Sequence, residues 1–267
     1  FPYTTLFRSE SAVRRATERE AAGEFEKIVL AREVRVHAST EFELAAVFGI
    51  LREQFPACYS YCVRRGETAF IGATPELLAR CEGSRVSTVA LAGSTTRSAD
   101  PAVDSHLGER LLQSAKDRHE QAVVAERIEQ ALGEHALWVT AADQPSLVKV
   151  ANIQHLATPI RAQLASPQGA LSVAGMLHPT PAVGAEPAAA VREIPALEGL
   201  DRGLYAGALG WVDERGDGEF VVALRCALID GTTAHCFAGV GVVGSSQPAS
   251  ELAETEVKLQ AVLPLLT

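Results

Sequence analysis

The stretch EFVVALRCALIDGTTAHCFAGVGVV (219–243) decides the fold class. It reads as two apolar, β-branched runs, EFVVALRCALI and TAHCFAGVGVV, joined by Asp230-Gly231. That dipeptide favours the positive φ angles of a tight hairpin, so the two runs pair antiparallel. YAGALGWVD (205–213) supplies a third strand just before them. At the other end, residues 24–36 (EFEKIVLAREVRV) alternate in character and form another strand. Short strand-like runs follow: ACYSYCVR, TAFIGA, LLARCEG and RVSTVALAG, within 57–93.

Helical patterns fill the middle. Residues 40–55 form an amphipathic helix opening at Thr40, and a long helix covers 104–132 with Asp104 as its N-cap. Strands are expected near 136–141 and 146–151, and shorter helices at 170–177 and 187–194. A last helix spans 248–263, with Ser246 as a possible cap and Pro248 in its first turn. Strands at both ends with helices between predict an α+β fold with largely antiparallel sheets. FPYTTLFRS (1–9) fits nothing that follows and reads as a frayed or foreign end, so residues 1–23 are set apart from a domain over 24–267.

The chain has 267 residues, of which 47% are hydrophobic and 21% charged, enough for a real core. Lys and Arg number 24 against 33 Asp and Glu, a net charge of −9 that argues against nucleic-acid or membrane-surface partners. No run is long and apolar enough for a transmembrane helix. No charged-then-apolar signal peptide opens the sequence, and a cytoplasmic location is expected. The five cysteines, Cys58, Cys62, Cys81, Cys226 and Cys236, form no C-x-x-C pair and read as free thiols in a reducing compartment.

Gly239-Val-Gly241-Val-Val-Gly244 fits G-x-G-x-x-G between a strand and a helix. No second strand follows that helix and no acidic residue stands ready for a ribose, so a dinucleotide site is rejected. The glycines instead let a ligand or another strand approach the backbone.

The final helix carries Glu251, Glu254 and Lys258 on one face, and the long central helix carries Asp117 and Glu120 three apart. Two helices each offering a carboxylate pair could hold a hard cation. Spacing alone favours ordinary solvated faces, with Glu254 and Lys258 an i,i+4 pair. Lys27 in FEKIVLAR is either a solvent-facing member of the alternation or, if buried, a potential general base, because burial disfavours a charged amine. Glu76, after a Thr-Pro turn, is a plain turn residue or a proton donor. Arg225 interrupts an apolar strand and needs a partner, an anionic ligand being one candidate. His155 and His178 stand alone, and no Ser/His/Asp or Cys/His arrangement can be assembled.

Ten segments, in this order, resemble the catalytic domain of the chorismate-utilising enzymes, which include isochorismate, salicylate, anthranilate and aminodeoxychorismate synthases. They are EKIVLAR, FIGATPELLAR, ALAGSTTR, SAKDRHEQ, IQHLATP, LHPTPAVG, LYAGALGW, VALRCA, FAGVGVV and ETEVKL. The resemblance runs from about Phe25 to Leu263 and is nearest to the isochorismate synthases. It implies antiparallel sheets packed face to face with helices outside. It implies Mg²⁺ held by Glu120 and Glu254, with Asp117 and Glu251 nearby, direct or through water. It places His155, Thr180, Tyr205, Arg225, Lys258 and the backbone at Gly93, Ser94, Gly239 and Gly241 around chorismate.

Members that add ammonia lack a lysine at the position of Lys27, whereas those that add water have it. The resemblance therefore implies that Lys27 activates water for attack at C2 and Glu76 protonates the departing C4 hydroxyl, giving isochorismate. HPTPAVG matches the isochorismate synthase version of its segment, against the alternative of a salicylate synthase that goes on to eliminate pyruvate. The product would serve siderophore, menaquinone or salicylate synthesis. No glutamine amidotransferase subunit and no membrane are implied, and a monomer is expected. Family members carry a longer stretch before the Lys27 strand. A fragment lacking the N-terminal part of the fold, and so a non-catalytic chorismate-binding domain, is a further alternative.

Overall fold

The computed structural model describes residues 3–266. In chain order the elements are α1 (Tyr3–Ala21), β1 (Lys27–His37), α2 (Leu44–Gln54), β2 (Tyr59–Arg65), β3 (Thr68–Thr74), β4 (Leu77–Glu82) and β5 (Arg85–Thr96). Then come α3 (Pro101–Gln113), α4 (Ala115–Gly133), β6 (Ala136–Ala141), β7 (Ser146–Lys149), β8 (Ile153–Leu164), α5 (Ala170–Leu177) and β9 (Ala185–Glu186). The remainder are α6 (Ile194–Glu198), β10 (Ala208–Val212), β11 (Gly218–Val222), β12 (Cys226–Asp230), β13 (Thr233–Val242) and α7 (Pro248–Leu259).

Two antiparallel sheets result. A six-stranded sheet runs β2-β3-β12-β13-β1-β9, and a seven-stranded one runs β10-β11-β4-β5-β8-β6 with β7 also on β8. Phe70 and Phe237 from the first sheet bury in one core with Val86 and Phe220 from the second, so the sheets pack face to face. Leu132 of α4 and Val173 of α5 close that core. A second core lies under α2 and the chain's end, around Leu51, Ile71 and Val262.

The hairpin at Asp230-Gly231 forms as read, with Ile229 opposite Ala234. The strand before it does not. Residues 219–229 split into β11 and β12, which belong to different sheets. The chain crosses between layers at Ala223–Arg225, and Arg225 bends it with φ of 51°, a left-handed conformation rare for a residue with a side chain.

The long central helix is two helices. Ser114 breaks it in extended backbone and its hydroxyl accepts from the Asp117 N–H, capping α4. Asp100, not Asp104, caps α3 by accepting from Ala102 and Val103. Asp104 is buried and taken by Arg97 and Lys149. α2 starts at Leu44 rather than Thr40, and Ser246 accepts from the Val243 N–H while Gln247 takes the cap position of α7. A 3₁₀ turn, Ala188–Glu193, precedes α6 where a single helix was expected.

β8 was not foreseen. Gln154, His155, Pro159 and Arg161 disguise its pattern, and proline argues against a central strand. Yet β8 pairs with β5, β6 and β7. The segment set apart before residue 24 packs on the rest of the fold through residues 12–16. α1 begins at Tyr3 and buries Ala12, Val13 and Ala16 against Phe25, Leu197 and Val242. All five cysteines are free, as read.

Candidate active site

β1 and β13 form the floor of a cleft, and glycine is what opens it. Val29 lies opposite Gly241, and Ala31 opposite Gly239. A Cβ on Gly241 would sit 2.0 Å from Glu120 Oε1 and 2.9 Å from Lys27 Cε. One on Gly239 would sit 2.7 Å from the Tyr205 hydroxyl. Gly93 has φ of 69° at a bulge between Ala92 and Ser94, which turns the β5 backbone toward the cleft. The G-x-G pair is thus a backbone surface packed beneath charged side chains, in an antiparallel strand.

Lys27, the first residue of β1, is 0% exposed. Its Nζ lies 3.1 Å from Glu120 Oε1, an ion pair that lacks hydrogen-bond geometry, and the amine has no hydrogen-bond partner. The solvent-facing reading of Lys27 is therefore excluded.

Glu76 sits between β3 and β4, beyond a turn in which its N–H donates to Thr74 Oγ1. Burial raises its carboxyl to about 7, even though Arg225, Lys27 and Lys258 pull it down. It is a carboxyl poised to be protonated near neutrality, not a plain turn residue.

Arg225 points into the cleft from the crossover. Among the described residues it pairs with no carboxylate; its Nη2 donates to His155 Nε2 at 3.0 Å. Burial first, then Arg225 and Lys258, push His155 well below its ordinary value, so the ring is neutral. Nε2 accepts from Arg225, which leaves the proton on Nδ1, 3.4 Å from the Gly93 carbonyl. Tyr205 stacks on Phe237 with centroids 5.3 Å apart, which fixes its ring over Gly239.

The carboxylates of α4 and α7 face each other. Glu254 Oε1 accepts from Ser94 and from Lys258, each at 2.7 Å. Burial alone would raise Glu254, but Lys258 and these hydrogen bonds hold it at about 2. Lys258 also donates to the Gly239 carbonyl at 2.9 Å. Glu251 pairs with Lys116, and its other oxygen is buried without a partner. Asp117 is held by Ser114. Burial raises both Asp117 and Glu251, and neighbouring carboxylates add to it. Among the described residues no three His, Cys, Asp or Glu converge as ligands of one metal ion.

Glu76, Glu120, His155, Tyr205, Arg225, Glu254 and Lys258 all line the cleft. Lys27 packs against Gly241 beside Glu120, and Asp117 and Glu251 lie near the other carboxylates. Thr180 is not brought to the cleft: its hydroxyl accepts from the Ala182 N–H, and it lines a separate pocket with Arg127 and His178. Its loop reaches the cleft through Ala182 and Val183 instead. The sequence reading missed these two residues and the apolar wall of Val29, Leu91 and Leu224. It also missed Lys116, whose place in SAKDRHEQ, one before Asp117, was the available signal.

Residues 6–267 match the family described as chorismate binding enzyme. The chain belongs to the chorismate-binding enzyme family. Across 259 residues it is 44% identical to the salicylate biosynthesis isochorismate synthase of Pseudomonas aeruginosa, covering 97% of this chain and 54% of that protein. It is 38% identical over 264 residues to an isochorismate synthase of Escherichia coli strain K12, covering 98% of this chain and 67% of that one. A Bacillus anthracis crystal structure provisionally described as a 2,3-dihydroxybenzoate-specific isochorismate synthase superposes with a TM-score of 0.94 at 37% identity, covering 98% of this chain and 72% of that one. The chain therefore spans between about half and three quarters of these relatives. No described helix is long and apolar enough to cross a membrane.

Proposed function

We propose that the chain is an isochorismate synthase, an isomerase that converts chorismate to isochorismate by adding water at C2 with loss of the C4 hydroxyl. The observation that carries this reading is Lys27, wholly buried at the cleft floor, with Glu76 protonatable near neutrality in the same site. A buried base and a buried acid beside one cleft suit a reaction in which one hydroxyl arrives and another departs.

Lys27, acting as the neutral amine, takes a proton from the attacking water as oxygen bonds to C2, and the ammonium so formed pairs with Glu120. The ring double bonds shift, and Glu76 gives its proton to the C4 hydroxyl, which leaves as water. Proton return from Lys27 to Glu76 resets the site, so the sum is an isomerisation. Arg225, oriented by His155, and the backbone around Gly93, Ser94, Gly239 and Gly241 receive the substrate's carboxylates. Lys258 and Tyr205 border the same space.

The α4 and α7 carboxylates suit a hard cation such as Mg²⁺: the donors are oxygens, and one buried Glu251 oxygen lacks a partner. Burial raises Asp117 and Glu251, with neighbouring carboxylates adding to it, a cost that a cation would relieve. Glu120 and Glu254 would hold Mg²⁺, with Asp117 and Glu251 direct or through water. When bound, Mg²⁺ supplies the charge that holds and polarises a substrate carboxylate. Every residue named comes from one chain and the nucleophile is water, so the reading needs neither a second copy nor an amidotransferase subunit.

The test is incubation with chorismate and Mg²⁺, with products separated and identified. Isochorismate is expected. Anthranilate, or salicylate with pyruvate as the main product, overturns the reading, and chorismate binding without turnover supports a binding domain instead.

A further inference from the structure

One side of β1 is paired along its length with β13, but its other side has a strand partner only at Lys27 and Ile28, which face Glu186 and Ala185 of β9. Beyond them the Val29 N–H still finds the Gly184 carbonyl at 2.8 Å. After that no backbone is available, and a side-chain ion pair takes over. Arg202 Nη2 donates to the Val29 carbonyl at 2.8 Å, and the Ala31 N–H donates to Glu198 Oε2 at 2.8 Å. Glu198 and Arg202 are themselves joined by two hydrogen bonds, 2.8 and 2.9 Å, and the Glu198 side chain is 1% exposed. Together they offer β1 one acceptor and one donor, as a neighbouring strand would.

The braced residues matter for the cleft. Val29 and Ala31 are the partners of Gly241 and Gly239, and Lys27 lies two residues upstream. Arg202 also donates to the Val183 carbonyl at 2.7 Å and lies 5.9 Å from the centre of the Tyr205 ring. Val29, Val183 and Tyr205 all line the cleft, whereas Arg202 and Glu198 do not.

We propose that the Glu198–Arg202 ion pair is a positioning element that stands in for a strand beside β1, holding Lys27, the glycine floor and Tyr205 in register without touching substrate. This rests on the isochorismate synthase reading. A planar guanidinium is needed because three acceptors and a ring are served at once, which a lysine cannot do.

The test compares R202K, R202M, E198Q and the double variant R202M/E198L with the wild type. Burying an apolar pair of similar volume can leave folding intact, so the double variant guards against simple unfolding. Hydrogen exchange at the Ala31 amide should rise at least tenfold in E198Q and R202M. In variants whose thermal transition stays above the assay temperature, kcat should fall about 100-fold, as expected for a misplaced base. KM should change less than threefold and R202K should recover only part of kcat. The pH profile should keep its shape, because Glu76 is raised by its burial and lowered by Arg225, Lys27 and Lys258, with Arg202 not among the groups that shift it. Folded variants with wild-type kcat and Ala31 protection overturn the proposal and leave the reaction assignment standing. If the wild type makes no isochorismate, the reaction assignment fails, and Ala31 exchange with chorismate affinity still decides the positioning role.

Discussion

Lys27 and Glu120 meet 3.1 Å apart against Gly241, the first residue of a strand against the second turn of a helix, where a side chain on β13 would collide with both. This pairing joins the proposed base to a proposed metal ligand, so the two halves of the mechanism share one contact.

Removing the amine tests the base. Lys27→Ala should lower isochorismate formation by about 10³-fold, within the range of general-base losses. Chorismate affinity, measured by calorimetry, should stay within tenfold of wild type. Turnover that survives the change means that the base lies elsewhere.

Glu76 sets a pH dependence in both rate and stability. As the acid it must be protonated, so kcat should decline as pH rises through about 7. Its folded value is raised above the ordinary 4.5, so the stability it contributes is fully present below about 4.5 and is lost as pH rises through about 7. That difference is worth about 3 kcal/mol at most. Glu76→Gln should therefore unfold at a higher temperature than wild type at pH 8, with the advantage shrinking toward pH 5, while kcat drops by about 10²-fold or more. Equal melting temperatures at pH 8 would show that Glu76 is not a strained, buried acid.

Gly241→Ala puts a methyl against the Glu120 carboxylate. The side chain can swing away, so the fold should survive, but Lys27 loses its partner and the floor rises. We expect about 10²-fold less kcat, since misplacement near 1 Å costs that much. A small change in melting temperature with full activity would contradict the packing described here.

The carboxylates predict a cation requirement. Chelation should abolish turnover and Mg²⁺ restore it, and Mn²⁺ binding followed by electron paramagnetic resonance should weaken at least about tenfold in Glu254→Gln and Glu120→Gln. Unchanged Mn²⁺ affinity in both variants would place the cation elsewhere.

Much of this was legible before the structure. The Asp230-Gly231 hairpin and the short strand runs gave the antiparallel architecture, because turn chemistry and alternation are local signals. The G-x-G pair, read as letting a ligand or strand approach the backbone, lies in β13 antiparallel to β1. What stayed hidden is non-local. Arg225 looked like a charge inside one strand, but it marks a crossover between two sheets, and only the partners of β11 and β12 reveal that. Ser114 ended a helix whose apolar pattern continued past it. β8 was masked by polar residues and by Pro159, which pairs with Val89 of β5 and on its other side falls between the stretches paired with β6 and β7. The carboxylates read as solvated faces because spacing says nothing of what a helix packs against. Thr180 matched a family segment, yet its hydroxyl serves its own turn.

The central claim is that the cleft adds solvent water to C2 of chorismate, and turnover in H₂¹⁸O with Mg²⁺ tests it most directly. Isochorismate isolated after a single turnover should carry one ¹⁸O, located by ¹³C NMR at the C2 hydroxyl. Isochorismate formed without label, or a different product, would contradict the account.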